Sequence, residues 1–389
     1  MVMVDSSAEF SIGVEEEFQI VDPVTRDLKA HIEHMMLQAP ILVGDRVKPE
    51  MMQSVVETAT DVCAGIDDAR REVLTLRRTG IDIARQSGLR IVAAGTHPFS
   101  HWQNQLITPN DRYKLLEEDL QDVVRSILIF GLHVHVSIPD NDLRIEIMNE
   151  ARYFLPHVLA LSTSSPFWQG RFTGLKSYRT VVWQQFPRTG IPSTFASWAD
   201  YSAFVETLVK TNSIDNGKKI WWDVRPHPFY PTLEFRIADM PVTADETLCL
   251  VALFQAIVAK LYRLRKRNLG FRIYHRGLIQ ENKWRAARYG IDGKLIDFGK
   301  GVEVPMRDLA LELLEFVDDV VDDLGSRDTI NYVHKILEQG TGADRELHVY
   351  RQTGDLNAVI DWLVEETERG VPSAAELGLG EKPAGAAGG

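Results

Sequence analysis

Cysteine is scarce in this chain. Of its 389 residues only Cys63 and Cys249 are cysteines, each alone in an apolar setting with no CxxC partner. That excludes a disulfide framework and a thiolate zinc site, and it fits a reducing cytoplasm. Positive charge is also short: 43 Lys and Arg against 55 Asp and Glu leave a net charge of -12. With no long basic block, a nucleic-acid surface is not expected. The one basic cluster, Arg263 to Arg267, falls at the end of a predicted helix, where cations complement the macrodipole. No apolar run reaches the ~20 residues needed to cross a bilayer, and the longest, LCLVALFQAIVA, predicts a buried core helix. MVMVDSSAEF has neither a basic n-region nor an apolar h-region, so no secretory signal is expected and the localisation predicted is cytoplasmic. Neither GxxxxGK[ST] nor GxGxxG after a strand occurs, so no glycine loop is available to cradle phosphates. No linker rich in Pro, Gly or Ser divides the chain before about Val371. The expectation is one domain over 10–370, with a loose stretch at 1–9 and a mobile Gly/Ala/Pro tail at 371–389.

What is present is an interspersed set of strands and helices. Period-two patterns rich in β-branched residues predict strands at 10–21, 53–60, 90–95, 131–138 and 232–238. Helical periodicity predicts helices at 63–87, 111–129, 142–162 with a kink near Pro156, 198–211, 244–267, 306–324 and 355–368. Asp111 and Ser197 are candidate N-caps, because a short polar side chain can accept from an otherwise orphaned N–H. Early strands followed by later helices imply an α+β architecture with helices backing one face of a sheet.

The strands spoil their own pattern in a consistent way. Side chains alternate across a strand, so FSIGVEEEFQIV puts Ile12, Val14, Glu16, Phe18 and Ile20 on one face and Glu15 and Glu17 on the other. Two carboxylates about 6.6 Å apart repel by roughly 2.5 kcal/mol at an effective dielectric near 20. Something positive, or water, belongs between them. GLHVHVSI sets His133 and His135 opposite Leu132, Val134 and Val136, and TLEFRIAD sets Glu234 and Arg236 opposite Leu233, Phe235 and Ile237. QSVVETAT offers Glu57, with Glu50 seven residues earlier. Singly, each pattern has a bland explanation in a solvated face or a plain ion pair. Together they describe a sheet with one packed face and one chemically occupied face. Glu16 is the misfit, expected to be structural, at an edge or paired with an arginine.

Several carboxylates with imidazole suit a hard divalent cation, Mg²⁺ or Mn²⁺, better than zinc. Mg²⁺ bound through few carboxylates commonly completes its shell with phosphate, so a nucleotide triphosphate is the natural guest. Candidates to neutralise the remaining phosphate charge are Arg236, Arg179, Arg285 and Arg288, the last two at i, i+3 on one helical face. Tyr178, Trp183, Trp221 and Trp222 read more simply as core or wall.

GVEEEFQIVDP, SVVETAT, AAGTHPF, GLHVHVSIPD, ALSTSSPFWQG, SYRTVVWQQFPRTGIP, WWDVRPHPFYPTLEFRIAD and ENKWRAARYG together resemble the glutamate-cysteine ligase type 2 family, in its bacterial carboxylate-amine ligase branch. One departure is Asp61, where the family pattern has proline. The resemblance implies a glutamine-synthetase-like antiparallel sheet cupping the active site, and ATP-dependent joining of a carboxylate to an amine. It implies Glu15, Glu17, Glu57, His133 and Glu234 as metal ligands, Arg236 as the phosphate-contacting arginine, Arg285 and Arg288 as further nucleotide contacts, and Tyr178, Arg179 and His135 as substrate contacts. His135, Glu50, Arg179, Arg285 and Arg288 carry over more weakly. It also implies ATP and Mg²⁺ or Mn²⁺ as cofactors, small-molecule substrates (an amino-acid carboxylate and an amine), a homodimer, and glutamate–cysteine ligase activity that is weak in this branch, leaving another amine open. From the residues alone, a zinc-dependent hydrolase using the HxH strand stays an alternative, as does a nucleotide-binding protein without turnover.

Overall fold

The computed structural model describes residues 9–379. The loose ends expected at 1–9 and 371–389 therefore lie outside the described residues, except for Glu9 and 371–379.

The strand built on IGVEEEFQIV, β1 (Ile12–Val21), is the axis of a seven-stranded sheet whose other members are β2 (Val47–Pro49), β3 (Val55–Ala59), β4 (Arg90–Val92), β5 (Leu132–Ser137), β6 (Val224–Pro226) and β7 (Thr232–Phe235). The order is β6-β7-β5-β1-β3-β2, with β4 also on β1. Every pairing is antiparallel. At ten residues β1 is long enough to serve two partners along one edge, β5 through Ile12–Glu16 and β4 through Gln19–Val21.

The expected alternation holds, and it decides what the sheet packs against. Ile12, Val14, Phe18 and Ile20 of β1 are buried, as are Leu132, Val134 and Val136 of β5 and Leu233 and Phe235 of β7. Each such side chain contributes about 1.5–3 kcal/mol by leaving water. The main backing element is the helix α2 (Ala244–Lys266), which follows α1 (Ile66–Gln86) in chain order. Phe254 of α2 stacks on Phe235 with ring centroids 4.4 Å apart. Thr243 caps α2 with a full capping box to Glu246, and Arg263, Arg265 and Lys266 close its last turn. With 23 residues and a mean hydropathy of 1.6 over its most apolar window, α2 is long and apolar enough to cross a membrane, contrary to the length argument from LCLVALFQAIVA. Nearly all of it from Ala244 to Leu261 is instead buried in the protein core.

Glu16 sits on this packed face and is only 1% exposed. Arg77 of α1, fully buried, donates from Nη2 to Glu16 Oε1 at 2.7 Å and from Nε to both carboxylate oxygens at 3.0 and 3.2 Å. Thr247 of α2 adds a hydroxyl donor at 2.8 Å. The misfit is therefore a buried ion pair at the centre of the sheet, which settles the expectation in favour of an arginine partner over an edge.

The structure breaks two expected long helices. The segment 111–129 divides at Gln121, whose φ of 50° cannot continue a helix, into Asp111–Leu120 and Asp122–Arg125. Asn110, one residue before the expected cap, accepts from Arg112 N. The segment 142–162 becomes Asn141–Ala151 and Leu155–Ser162 with a single 3₁₀ turn at Arg152–Phe154 between them, and Pro156 sits in the first turn of the second helix, where no N–H is needed. Ser197 caps its helix as expected.

Candidate active site

Antiparallel register places directly opposed residues on the same face. Glu15 lies opposite His133, Glu17 opposite Glu57, His135 opposite Glu234, and Glu234 opposite Arg225. Acidic and imidazole groups from four strands thus converge on the face away from α2.

Within that face there are three groupings. Oxygens of Glu17, Glu50 and Glu57 lie within 4.8 Å of one another. Gly131 N–H donates to Glu17 Oε2 at 2.6 Å, Met51 N–H donates to Glu50 Oε2 at 2.8 Å, and Lys48 Nζ stands 3.8 Å from Glu57 Oε1. Three partly buried carboxylates with so little compensation repel one another. Burial first, then the charge of Glu50, pushes Glu17 up to about 7. Burial and the charges of Glu15, Glu50 and Glu17 push Glu57 well above the usual range.

The second grouping is Glu15 with the histidines. His133 Nδ1 is 3.0 Å from Glu15 Oε2, and His135 Nε2 is 3.5 Å from Glu15 Oε1. Burial opposes ionisation of Glu15, but the hydrogen bonds to both imidazoles outweigh it and hold the carboxyl well below its usual range. Burial, then Arg236, lowers His133 to about 4, so the ring is neutral near pH 7. With Nδ1–H given to Glu15, Nε2 presents its lone pair 3.8 Å from Glu17 Oε1. His135 Nδ1 meets Thr232 Oγ1 at 3.1 Å.

Glu234 forms the third grouping. Arg225 donates from Nε to Oε2 at 2.8 Å and from Nη2 to Oε1 at 3.0 Å, and Arg236 Nη1 also donates to Oε1. Burial would raise this carboxyl, but the two guanidinium groups hold it far below its usual range.

A cavity of about 130 Å³ opens beside the trio, and its lining includes Glu17, Glu50, His133, Arg179 and Arg236. Arg179 reaches it by passing over Gly131, where an added Cβ would stand 2.3 Å from the guanidinium Nη2. Its Nη2 donates to Arg236 O at 3.2 Å. Arg236 in turn lies 5.5 Å from the Trp183 ring centroid.

Three expected site residues are elsewhere. Tyr178 packs on Trp168 with centroids 5.6 Å apart, outside the cavity lining. Arg285 donates to Glu281 at 2.9 Å and Glu303 at 2.6 Å, and Arg288 lies over the Tyr289 ring. Both belong to the helix Arg276–Tyr289, whose buried face instead sends Lys283 to Asp223 at 2.7 and 2.9 Å. A sharing of faces at i, i+3 was correct for this pair, but that face points away from the cavity. Conversely, Arg225 was missed. Its signal was alternation in WWDVRP, where Arg225 directly precedes a proline on a strand too short to register as one.

The oxygen trio fits a hard divalent cation, since a double positive charge relieves the repulsion that raises Glu17 and Glu57. That has a measurable consequence. For a carboxyl raised on folding, the stabilisation is present below the ordinary value of 4.5 and is lost as pH rises through the folded value, here about 7 for Glu17. In EDTA, melting temperature should fall between pH 5 and 8, with Glu17 alone contributing on the order of 3 kcal/mol. Excess Mg²⁺ should remove most of that fall, as a ligand of the native state. A melting temperature indifferent to both pH and Mg²⁺ over this range counts against the trio as a cation site.

An antiparallel sheet backed by helices on one face, with carboxylates, a neutral imidazole and arginines gathered on the other, is the α+β architecture anticipated above. The chain belongs to the glutamate-cysteine ligase family 2, whose family model matches residues 11–361. It is 57% identical over 372 residues to a Solibacter usitatus protein named "Putative glutamate–cysteine ligase 2", covering 95% of this chain and 97% of the relative. A Herpetosiphon aurantiacus protein of the same name is 54% identical over 363 residues, covering 93% and 94%. Among solved structures, the glutamate–cysteine ligase of Francisella tularensis in complex with AMP superposes with a TM-score of 0.67 at 14% identity, covering 95% of this chain and 92% of that one. A bifunctional glutathione synthetase from Pasteurella multocida gives 0.68 at 16% identity, covering 94% and 53%. At such low identity these two establish the fold.

Proposed function

We propose that the protein is an ATP-dependent carboxylate–amine ligase working through an acyl phosphate, with glutamate–cysteine ligase activity, weak in rate, as its parent reaction. The observation that carries this reading is the partly buried oxygen trio of Glu17, Glu50 and Glu57, set beside neutral His133, Arg179 and Arg236 of a cavity lining. Family membership and the 57% identical relative support the ligase class. The AMP held by the Francisella protein is consistent with use of an adenine nucleotide.

In this reading Glu17, Glu50 and Glu57 would hold a Mg²⁺ or Mn²⁺ ion, and Glu15, His133 and Glu234 would extend the ligand set along the same face of the sheet. Although both oxygens of Glu234 accept from arginine, an ionised carboxylate has about four lone-pair sites and retains capacity. When bound, such ions supply charge neutralisation between an anionic substrate and a triphosphate. A substrate carboxylate oxygen attacks the γ-phosphorus, the bond to the β,γ-bridging oxygen breaks, and ADP leaves. Arg236, held under Trp183 and against Glu234, stabilises charge on the transferring phosphoryl group. The amine lone pair then attacks the acyl carbon, the acyl C–O bond to phosphate breaks, and an amide and inorganic phosphate result with release of one proton. Arg179, buried and part of the same cavity lining, binds and orients the substrate carboxylate. His135, fixed between Thr232 and Glu15, orients Glu15 in its turn.

The zinc-hydrolase alternative needs histidines that converge. Among the described residues, the group of three able to hold a metal is made of carboxylates, and His135 has one ring nitrogen on Thr232 and the other facing Glu15. A nucleotide-binding protein without turnover is disfavoured because all five expected metal ligands, Glu15, Glu17, Glu57, His133 and Glu234, are present. The deciding experiment is ATP-dependent phosphate release, with Mg²⁺, across pairs of carboxylates and amines. Release that requires both substrates is expected; stoichiometric zinc with no nucleotide dependence would remove the ligase reading.

A further inference from the structure

Gly131 stands where two parts of the site meet. It directly precedes β5, and both of its backbone groups are turned to Glu17: its N–H donates to Glu17 Oε2 at 2.6 Å, and its C=O accepts from Glu17 N at 3.3 Å. On its other side lies Arg179, whose guanidinium crosses the position that a side chain at 131 would fill. The three atoms nearest to an added Cβ all belong to that guanidinium, Cζ at 2.8 Å, Nε at 3.0 Å and Nη2 closer still. The φ of Gly131 is not positive, so the backbone conformation does not itself call for glycine. What calls for it is the close approach of Arg179.

Neither backbone is free to give way. The chain around Gly131 is held by Leu132 N–H to Ala238 O at 3.3 Å and by Met240 N–H to Phe130 O at 3.2 Å. The base of Arg179 is held as firmly. Its backbone N–H donates to Ser165 Oγ at 3.1 Å, and Ser165 Oγ donates to Asp239 Oδ2 at 2.7 Å. Asp239, fully buried, also accepts from Ser164 N at 3.0 Å and from Ser177 Oγ at 2.8 Å. This clamp is built from the ALSTSSPFWQG, SYR and RIAD segments, and none of its serines nor Asp239 lines the cavity. The far end of Arg179 is held more weakly: Nη1 and Nη2 donate to Ile237 O at 3.4 Å and Arg236 O at 3.2 Å, and Nε has no partner. A side chain at 131 therefore meets two fixed backbones and one movable guanidinium. The guanidinium moves.

Resting on the ligase reading, in which Arg179 binds the carboxylate of the acyl donor, we infer that Gly131 is a positioning residue for that carboxylate. It acts through Arg179, by the room its missing side chain leaves, and its backbone ties Glu17 of the trio to the same point of the chain. A methyl group at 131 displaces the guanidinium, while the peptide N–H that holds Glu17 stays. One substitution therefore separates the placing of Arg179 from the placing of Glu17.

The test is a double-substitution cycle between Gly131→Ala and Arg179→Ala, with glutamate, or whichever carboxylate the phosphate-release screen returns, as the varied substrate. Gly131→Ala should raise KM for the carboxylate about ten- to a hundredfold, the scale of a lost hydrogen bond to a charged group. Its kcat should change much less, since Arg179 holds the carboxylate in ground and transition state alike. Added to Arg179→Ala, the same substitution should change nothing further, because the atoms it displaces are gone. Calorimetric Kd for the carboxylate, in Mg²⁺ and a non-hydrolysable ATP analogue, gives the same cycle without turnover. The rise in melting temperature on adding Mg²⁺ should persist in Gly131→Ala; its loss means that the backbone at 131 has moved, and overturns the inference. If Gly131→Ala is unstable, the double variant should be no less stable than Arg179→Ala alone, and a further loss on that background overturns the inference as well. So does an unchanged carboxylate KM in Gly131→Ala, or an equal increase in both backgrounds, either of which leaves the ligase standing. An unchanged KM in Arg179→Ala removes the role given to Arg179 and this inference with it. Amide formation from no pair of carboxylate and amine overturns the inference together with the reading on which it rests.

Discussion

Glu57→Gln should make the metal-free protein more stable and nearly inactive at once. Glu57 lies opposite Glu17 across the β1–β3 pair and within the same oxygen group as Glu50. Removing its charge deletes one member of a mutually repelling set at almost no change in volume, so the melting temperature in EDTA should rise at pH 7 to 8. The same substitution takes an anionic ligand from the proposed cation site, and turnover should fall by at least ~10²–10³, the loss typical when one preorganised electrostatic partner is removed. Stabilisation by Mg²⁺ should shrink in parallel. Paired thermal melts and ATP-dependent phosphate release check all three effects on one preparation. Retained turnover, or a lower melting temperature in EDTA, means that the trio does not hold the ion. Glu15→Gln should also abolish turnover, since Glu15 belongs to the proposed ligand set and fixes the ring nitrogen of His133.

Glu16→Gln, one residue from Glu15 and one from Glu17, should behave in the opposite way. Its partner Arg77 is fully buried and keeps its charge, with Val242 O, Pro241 O and the Thr247 hydroxyl as its remaining neighbours. Breaking one side of a buried, hydrogen-bonded ion pair leaves an uncompensated charge and costs about 3–5 kcal/mol. The denaturant midpoint should drop by that free energy divided by the slope, with the slope itself unchanged. Whatever protein remains folded should retain kcat. The double substitution Glu16→Leu with Arg77→Met, which removes both charges, should recover most of the stability. A folded but inactive Glu16→Gln protein would overturn the division of β1 into two faces.

These two glutamates show how far the sequence could be read. Alternation along FSIGVEEEFQIV, GLHVHVSI and TLEFRIAD is a local property of an extended backbone, so the separation of Glu15, Glu17, His133 and Glu234 from the packed face was legible from the chain. So was the direction of Glu16. The identity of its partner was not, because Arg77 lies 61 residues away on a helix whose rotation about its axis is set by packing.

The same limit explains the arginines. Arg285 and Arg288 share a helical face by spacing, but which face meets the cavity depends on where that helix docks, and it docks through Asn282, Lys283, Ala286 and Ala287. Tyr178 lies outside the cavity lining for a similar reason, since its backbone neighbour Arg179 turns into the cavity while its own ring turns onto Trp168. Arg225 and Glu50 came from short or irregular segments with too few residues to show a period.

By itself, then, the sequence determined the family, the α+β class and which face of each central strand carries charge, since covalent spacing and the twofold repeat of a strand are enough for that. Only the tertiary structure decided which charges meet: the register pairing Glu17 with Glu57, the turn that brings Glu50 beside them, the claim of Arg225 on Glu234, and the passage of Arg179 over Gly131. Those contacts join residues far apart in the chain, and their distances depend on how strands and helices dock, which no local pattern of residues specifies.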